Sequence, residues 1–92
     1  METKIKEWVL KASQTVTKQT EGVRPMSLEI VPGRKYYKVI CNTGGVFCFI
    51  DRDGNIYKPA GAFAPAKGIR GTVETIDPEK VTFSGGFLYR YK

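Results

Sequence analysis

The chain has 92 residues and a formal net charge of +6, with 41% hydrophobic and 12% aromatic residues. This length predicts one domain with a modest core, and the composition argues against a disordered chain. The sequence contains no apolar run of about 20 residues and no recognisable secretory signal, so we expect neither a membrane span nor export.

The first part of the chain predicts a helix over residues 3–20, within a helical region of residues 1–22. Gly22 is placed to end this helix. Trp8 on its apolar face is interpreted as a core anchor, with a binding role for the indole ring as the alternative. The apolar residues that recur at helical spacing are Ile5, Trp8, Val9, Ala12 and Val16.

From residue 27 to residue 92 the pattern is typical of short strands joined by turns. We predict strands over residues 27–31, 35–41, 46–50 and 55–58, and less regular ones over 72–76, 81–83 and 87–91, with a turn at 77–80. Short connections between neighbouring strands favour antiparallel pairing. The predicted fold is therefore α+β: one domain in which the helix packs on a strongly bent antiparallel sheet or a small partly open β-barrel.

The cysteines and the lack of histidine limit the chemistry of the chain. Two cysteines are present, whereas a structural zinc site needs four nitrogen or sulfur ligands. If Gly44 and Gly45 are the central residues of a tight turn, Cys41 lies opposite Cys48 within reach of a disulfide. The alternative is two small buried hydrophobic residues in a reduced protein. Without a P-loop, a dinucleotide fingerprint or an activated nucleophile, we expect no enzyme, no metal and no other cofactor.

Positive charge is concentrated in the middle of the chain. Between Arg34 and Arg70, seven cations stand against two acids, which gives this segment a net charge of +5. A one-sided positive field favours nucleic acid, nucleotides or an acidic protein surface as partner, and solubility alone is the alternative explanation.

Aromatic residues in the same segment offer a place for nucleic-acid bases. In the strand predicted over residues 46–50, Phe47 and Phe49 share one face, with Tyr36 or Tyr37 as a neighbour. Aromatic pairs ringed by cations on a sheet surface form base-stacking platforms. The alternative interpretation places both phenylalanines in the core.

The acid-free segment of residues 58–71 is the main candidate site, because long loops in small domains are uncommon and often functional. Its cations would contact phosphates, its glycines would let a ligand approach the backbone, and an aromatic ring would stack on a base. In the alternative interpretation the segment folds back over the sheet and Phe63 fills the core. The predicted ligand-binding residues are Tyr57, Lys58, Phe63, Lys67, Gly68, Arg70 and Gly71.

The patterns F-x-D-x-D-G-x-I-Y-K-P-A, beginning at Phe49, and A-P-A-K-G-I-R-G, beginning at Ala64, lie in this region. On these patterns the chain resembles a group of short, largely uncharacterised tailed-bacteriophage proteins, over residues 35–73. Those proteins often carry Trp at the position of Phe63 and Lys at the position of Ala64. The resemblance implies a phage origin and a place in the host cytoplasm. Phage proteins of this size include nucleic-acid binders, nucleotide-sequestering anti-defence proteins and inhibitors of host machinery.

Together these observations predict a non-enzymatic, phage-type binding module for a phosphate-bearing ligand, with nucleic acid first and a small nucleotide second. The alternative is an anti-defence or host-takeover inhibitor that binds an acidic host protein surface. We expect no membrane partner, and the sequence leaves the oligomeric state open.

Overall fold

The computed structural model describes residues 2–42, 44–61 and 64–82. The chain begins with an α-helix and continues into strands. The helix is α1 (Glu2–Gln19), and the strands are β1 (Leu28–Pro32), β2 (Tyr36–Cys41), β3 (Val46–Asp51), β4 (Asn55–Tyr57) and β5 (Gly71–Thr72). A short 3₁₀ helix (Pro78–Lys80) follows, and the Asp77 side chain caps it by accepting a hydrogen bond from the Glu79 amide at 2.9 Å.

Helix α1 packs on the sheet through the side chains that its sequence spacing predicts. Glu2 in its first turn and Lys18 in its last turn have the signs that the helix dipole favours. The indole Nε1 of Trp8 donates a hydrogen bond to the Ile76 carbonyl at 2.8 Å, and the side chain is 3% exposed. The interpretation of Trp8 as a core anchor is confirmed. The buried residues of α1 are Ile5, Trp8, Val9, Ala12 and Val16.

The five strands form one antiparallel sheet in the order β1-β2-β3-β4-β5. Strands β1 and β5 lie at opposite ends of this order, so the sheet stays open and does not close into a barrel. The predicted α+β class with an antiparallel sheet is confirmed. The first four strands agree with their predicted ranges to within one residue at each end, because Pro-Gly, Gly-Gly and Asp-Gly turns mark their limits.

Strand register assigns the side chains to two faces of the sheet. The inner face packs against α1 and carries Tyr37, Val39, Cys48, Ile50 and Ile56. On the opposite, outer face, one row of paired residues crosses four strands. This row consists of Val31, Lys38, Phe49 and Tyr57.

The strand predicted over residues 72–76 is wrong beyond Thr72, where β5 ends. The Thr72 hydroxyl accepts hydrogen bonds from the amides of Glu74 and Thr75, and the Ile76 amide donates to the Thr72 carbonyl. A threonine that binds nearby amides competes with strand pairing, so the β-branched run forms a turn. The strand predicted over 81–83 is also wrong for residues 81 and 82, which lie in no strand. Residue 83 and the strand predicted over 87–91 lie outside the described residues.

Candidate nucleic-acid interface

Residues 58–71 form an arm that leaves the sheet after β4 and returns to it at β5. Pro59 and Pro65 pair across the arm in an isolated antiparallel bridge. The arm is therefore folded back on itself rather than left as an open loop. Its backbone hydrogen bonds join Ala60 N to Ala64 O at 3.0 Å, Ala66 N to Lys58 O at 2.8 Å and Arg70 N to Ile56 O at 2.7 Å.

The predicted site residues lie at different depths in this arm. Lys67 and Gly68 are exposed at a turn in its returning half, and a Cβ at Gly68 would meet no atom within 4 Å. Tyr57, Lys58 and Arg70 are half-buried where the arm joins the sheet. The turn therefore presents an open backbone beside one exposed cation, with two half-buried cations and an aromatic ring at the base of the arm.

Gly71 and Phe63 stand apart from this group. A Cβ on Gly71 would lie 2.6 Å from Cδ1 and Cγ1 of Ile76, so the missing side chain makes room for a buried core residue. Phe63 lies outside the described residues. The ligand-binding roles assigned to both residues stay predictions.

Asp51 fixes the aromatic ring at the base of the arm. The Tyr57 hydroxyl donates to Asp51 Oδ2 at 2.8 Å, and burial together with this bond and the Asp51 charge raises the pKa of Tyr57 to about 12. Partial burial by itself would raise the pKa of Asp51, but hydrogen bonds from Asn55, Tyr57 and Asp53 outweigh it and hold that pKa below its usual value. The phenol is thus occupied, and Tyr57 has its ring rather than its hydroxyl to offer a ligand.

The prediction that Phe47 and Phe49 share one face is wrong. Val39 pairs with Cys48 while the next residue of β2 pairs with Val46, so β3 contains a bulge at Phe47. A bulge changes the alternation of side chains along a strand, and Phe47 joins the core while Phe49 lies on the outer face. The two side chains are 6% and 3% exposed, so neither offers a free ring for stacking.

The aromatic cluster on the outer face has Tyr36 at its centre. The Tyr36 ring meets the Phe49 ring edge-on at a centroid distance of 6.2 Å and the Tyr57 ring at 5.5 Å. Tyr37 points to the opposite face, where it is 5% exposed. Of the two tyrosines left open by the sequence, Tyr36 is therefore the neighbour of Phe49.

Sequence reasoning missed the role of Arg52. Its guanidinium donates to the carbonyls of Gly33 at 2.8 Å and Arg34 at 3.0 Å, and to the Tyr37 hydroxyl at 3.2 Å. It also lies 5.3 Å from the centroid of the Tyr37 ring. Arg52 thus ties the β3–β4 turn to the β1–β2 turn. The sequence signalled this residue only as one of several cations, since the partners are backbone groups 18 and 19 positions away.

The condition on which Cys41 would lie opposite Cys48 is not met. The Gly44 amide donates to the Cys41 carbonyl at 2.9 Å, so the turn runs from Cys41 to Gly44 and its centre lies earlier than the two glycines. Cys48 pairs with Val39 instead, and neither cysteine forms a disulfide. Burial raises the pKa of the Cys48 thiol, which makes it a small core residue, whereas Cys41 is half-buried and contacts the Gly45 carbonyl.

The described part of the chain holds neither a metal-binding cluster nor a membrane-spanning helix. Residues 2–42, 44–61 and 64–82 contain no group of three or more His, Cys, Asp or Glu side chains placed to hold a metal ion. In the same ranges, no helix has the length and apolarity needed to cross a membrane.

The chain belongs to a family of unknown function (DUF7717), whose model matches residues 1–90. No curated protein and no solved structure gives a significant match. The matched range includes the helix, the sheet and the arm together.

Proposed function

We propose that the chain is a non-enzymatic, phage-type binding module for a phosphate-bearing ligand in the host cytoplasm, with nucleic acid first and a small nucleotide second. The observation that carries this proposal is the distribution of charge over the fold. The segment with a net charge of +5 runs from the β1–β2 turn to the end of the arm. Among the described residues, helix α1 packs on the inner face of the sheet, and most cations of this segment lie on the outer side and in the arm.

The arm supplies the elements that a phosphate needs. Lys67 is an exposed cation, and Gly68 beside it has a positive φ of +97° and open space where a side chain would be. A phosphate can therefore approach the backbone amides of the turn while the ammonium group neutralises its charge. Arg70 lies in the same arm two residues later, where its backbone joins the sheet.

The acids of the segment do little to oppose such a ligand. Asp51 directs its carboxylate oxygens toward the amides of Asp53 and Asn55 and toward the Asn55 and Tyr57 side chains. These donors hold the Asp51 carboxylate within its own turn, and Asp53 is the other acid of the segment. With seven cations against two acids, the cations dominate the field that an approaching strand meets.

The experiment is a salt titration of binding to a short fluorescein-labelled oligothymidylate, followed by anisotropy. Because phosphate contacts release counterions, the logarithm of affinity should fall linearly with the logarithm of salt, by about 0.7 per contact for a single strand. Lys67→Ala combined with Arg70→Ala should weaken binding and reduce the slope by about 1.4. Lys67→Ala alone should reduce the slope by half as much, about 0.7. This single variant serves as the test if the half-buried Arg70 is needed for folding.

The matched control removes two charges from the other side of the molecule. Lys6 and Lys18 are exposed on α1, so Lys6→Ala with Lys18→Ala lowers the net charge equally without touching the arm. The control variant should bind nearly as the natural chain does. Absence of binding by the natural chain at low salt would overturn the proposal, and equal losses in both double variants would overturn the assignment to the arm.

One observation favours the alternative, an acidic host protein as partner. Ile69 is 53% exposed between Gly68 and Arg70, so an apolar side chain stands among cations at the tip of the returning half. Nucleic-acid phosphates gain nothing from such a residue, whereas protein interfaces combine apolar contacts with charge. Ile69→Ser should reduce capture of a nuclease-resistant host partner and leave oligothymidylate binding unchanged. A loss of oligothymidylate binding instead would count against the alternative.

A further inference from the structure

We infer that a hollow on the outer sheet face, beside the β1–β2 turn, binds one nucleotide unit of a single-stranded nucleic acid. The inference rests on the proposed function and adds a second contact region to the arm. The hollow has a volume of about 260 Å³ and is open to solvent. The residues that line it include three cations, two aromatic residues and one aliphatic residue: Arg34, Lys35, Lys38, Tyr36, Phe49 and Val31.

The charge of the lining selects an anion. Arg34, Lys35 and Lys38 line the hollow, and none of the lining residues that the structure describes is acidic. On β3, Asp51 pairs with Tyr36 of β2. Its carboxylate accepts hydrogen bonds from the Asn55 amide and the Tyr57 hydroxyl. Arg34 and Lys35 are neighbouring exposed cations, so a phosphate that they share lowers their mutual repulsion and gains charge-assisted hydrogen bonds.

The aromatic ring that the hollow offers to a base is that of Tyr36. Phe49 is 3% exposed, and the half-buried Tyr36 ring stands against it and against Tyr57 at interplanar angles of 80° and 82°. Two edge-on neighbours restrict the motion of Tyr36, which lowers the entropy lost when a base packs on it. Cations beside a braced ring are the combination that proteins use to hold unstacked bases.

The turn that carries two of the cations is held in place before any ligand arrives. Arg52 binds the Gly33 and Arg34 carbonyls from the neighbouring turn. A Cβ on Gly33 would lie 2.7 Å from the Tyr36 carbonyl oxygen, so the chain turns tightly there. Arg52 is a positioning residue in this scheme: it orients the backbone under Arg34 and Lys35 and does not itself line the hollow.

The shape of the hollow favours a strand over a free nucleotide. Its volume lies just below the range of about 300–1,000 Å³ that is usual for enclosed small-molecule sites. An open side lets the sugar–phosphate chain continue in both directions toward other cations. Free thymidine monophosphate has the same base and phosphate as one unit of oligothymidylate but makes fewer contacts. Its ability to compete with the oligonucleotide therefore measures how much of the affinity comes from a single nucleotide unit.

The test compares three changes by anisotropy with labelled oligothymidylate. Arg34→Gln with Lys35→Gln should weaken binding and lower the salt slope by about 1.4, since two phosphate contacts are lost. Tyr36→Leu should weaken binding roughly tenfold and leave the salt slope unchanged, because it removes a stacking contact and no charge. Tyr36→Phe keeps the ring and should bind as the natural chain does. Arg52→Lys should weaken binding with little change in slope, since the charge stays and the backbone clamp is lost.

The outcomes separate the inference from the proposed function. Lys6→Gln with Lys18→Gln is the control of equal charge. If the Arg34 and Lys35 variant matches this control while the Lys67 and Arg70 variant binds weakly, the hollow inference fails and the proposed function stands. If the natural chain does not bind oligothymidylate, both fail. If thymidine monophosphate displaces the labelled oligonucleotide as well as unlabelled oligothymidylate does at the same total nucleotide concentration, the hollow takes free nucleotides and the strand assignment is overturned.

Discussion

Asp51 anchors the β3–β4 turn through hydrogen bonds to both of its carboxylate oxygens. Oδ1 accepts from the Asp53 and Asn55 amides at 3.0 and 2.9 Å, and Oδ2 accepts from Asn55 Nδ2 and the Tyr57 hydroxyl at 3.0 and 2.8 Å. Only a group that accepts at both oxygens satisfies these donors. The Asp-Gly pair predicts a tight turn, and the hydrogen bond from the Gly54 amide to the Asp51 carbonyl confirms it. The pair does not predict this side-chain network.

Asp51→Asn should therefore destabilise the fold at neutral pH by about 1–3 kcal/mol, because the amide nitrogen meets donors where an acceptor is needed. The folded-state pKa of Asp51 lies below its unfolded value. Its contribution is thus present above pH about 4 and is lost as the pH falls through the lower folded-state pKa. Melting temperatures measured from pH 7 to pH 2 should fall less steeply in the variant. The exposed Asp53, changed to Asn, is the control, and an equal effect there would contradict the role of Asp51.

The stabilising contribution of Tyr57 should have the opposite pH dependence and be lost at alkaline pH. Burial and the bond to Asp51 raise its folded-state pKa to about 12, above the ordinary value of 10.0. The protonated phenol therefore stabilises the fold below pH about 10, and this stabilisation is lost as the pH rises toward 12. Melting temperatures of the natural chain and of Tyr57→Phe should converge over this interval. A tyrosinate absorbance difference between the two with a midpoint near 10 would contradict the assignment.

At the scale of elements, the arm between β4 and β5 uses its glycines in two ways. Gly68 has a positive φ and open space around it, whereas Gly71 has φ +156° and Ile76 packed where its side chain would be. The first glycine serves the shape of a turn and the second serves core packing. The G-x-x-G pattern in the sequence does not distinguish these two roles.

Gly71→Ala should accordingly cost at least about 2 kcal/mol, since the new methyl group forces Ile76 out of a filled core. Gly68→Ala should cost about 1 kcal/mol from the left-handed backbone alone. Urea unfolding measures both values. If the two variants were equally stable, the close approach of Gly71 to Ile76 would not govern packing at β5.

How far the elements follow from sequence depends on whether local chemistry decides them. The apolar spacing in α1 and the Gly and Pro turns between β1 and β4 are local signals, and those elements agree with prediction. The bulge at Phe47 and the threonine turn after Thr72 are settled by pairing partners and side-chain bonds that no periodicity encodes. The candidate site follows the same rule, since the cations of the arm are visible in the sequence but the hollow exists only where β1, β2 and β3 meet.

At the scale of the whole molecule, the fold separates a core side from a charged side. Helix α1 and the segment after β5 hold each other through the Trp8 bond to Ile76 and the Gln19 bond to the Val81 carbonyl at 2.7 Å. The inner sheet face joins them in one cluster of buried residues. The outer face and the arm contribute charge and half-buried aromatic rings, so ligand binding and core packing use different surfaces of the same sheet.

This separation predicts how binding couples to stability. Trp8, the one tryptophan of the sequence, is buried under α1 on the side away from the proposed contacts. Saturating oligothymidylate should leave its fluorescence emission unchanged in the folded state and still stabilise the fold, by about 2.7 kcal/mol at 100 times the dissociation constant. Urea unfolding followed by Trp8 emission and by far-ultraviolet circular dichroism should shift together, as one cooperative unit requires. Quenching of Trp8 emission by the bound oligothymidylate would instead place the ligand near the indole ring and contradict a binding surface on the outer face.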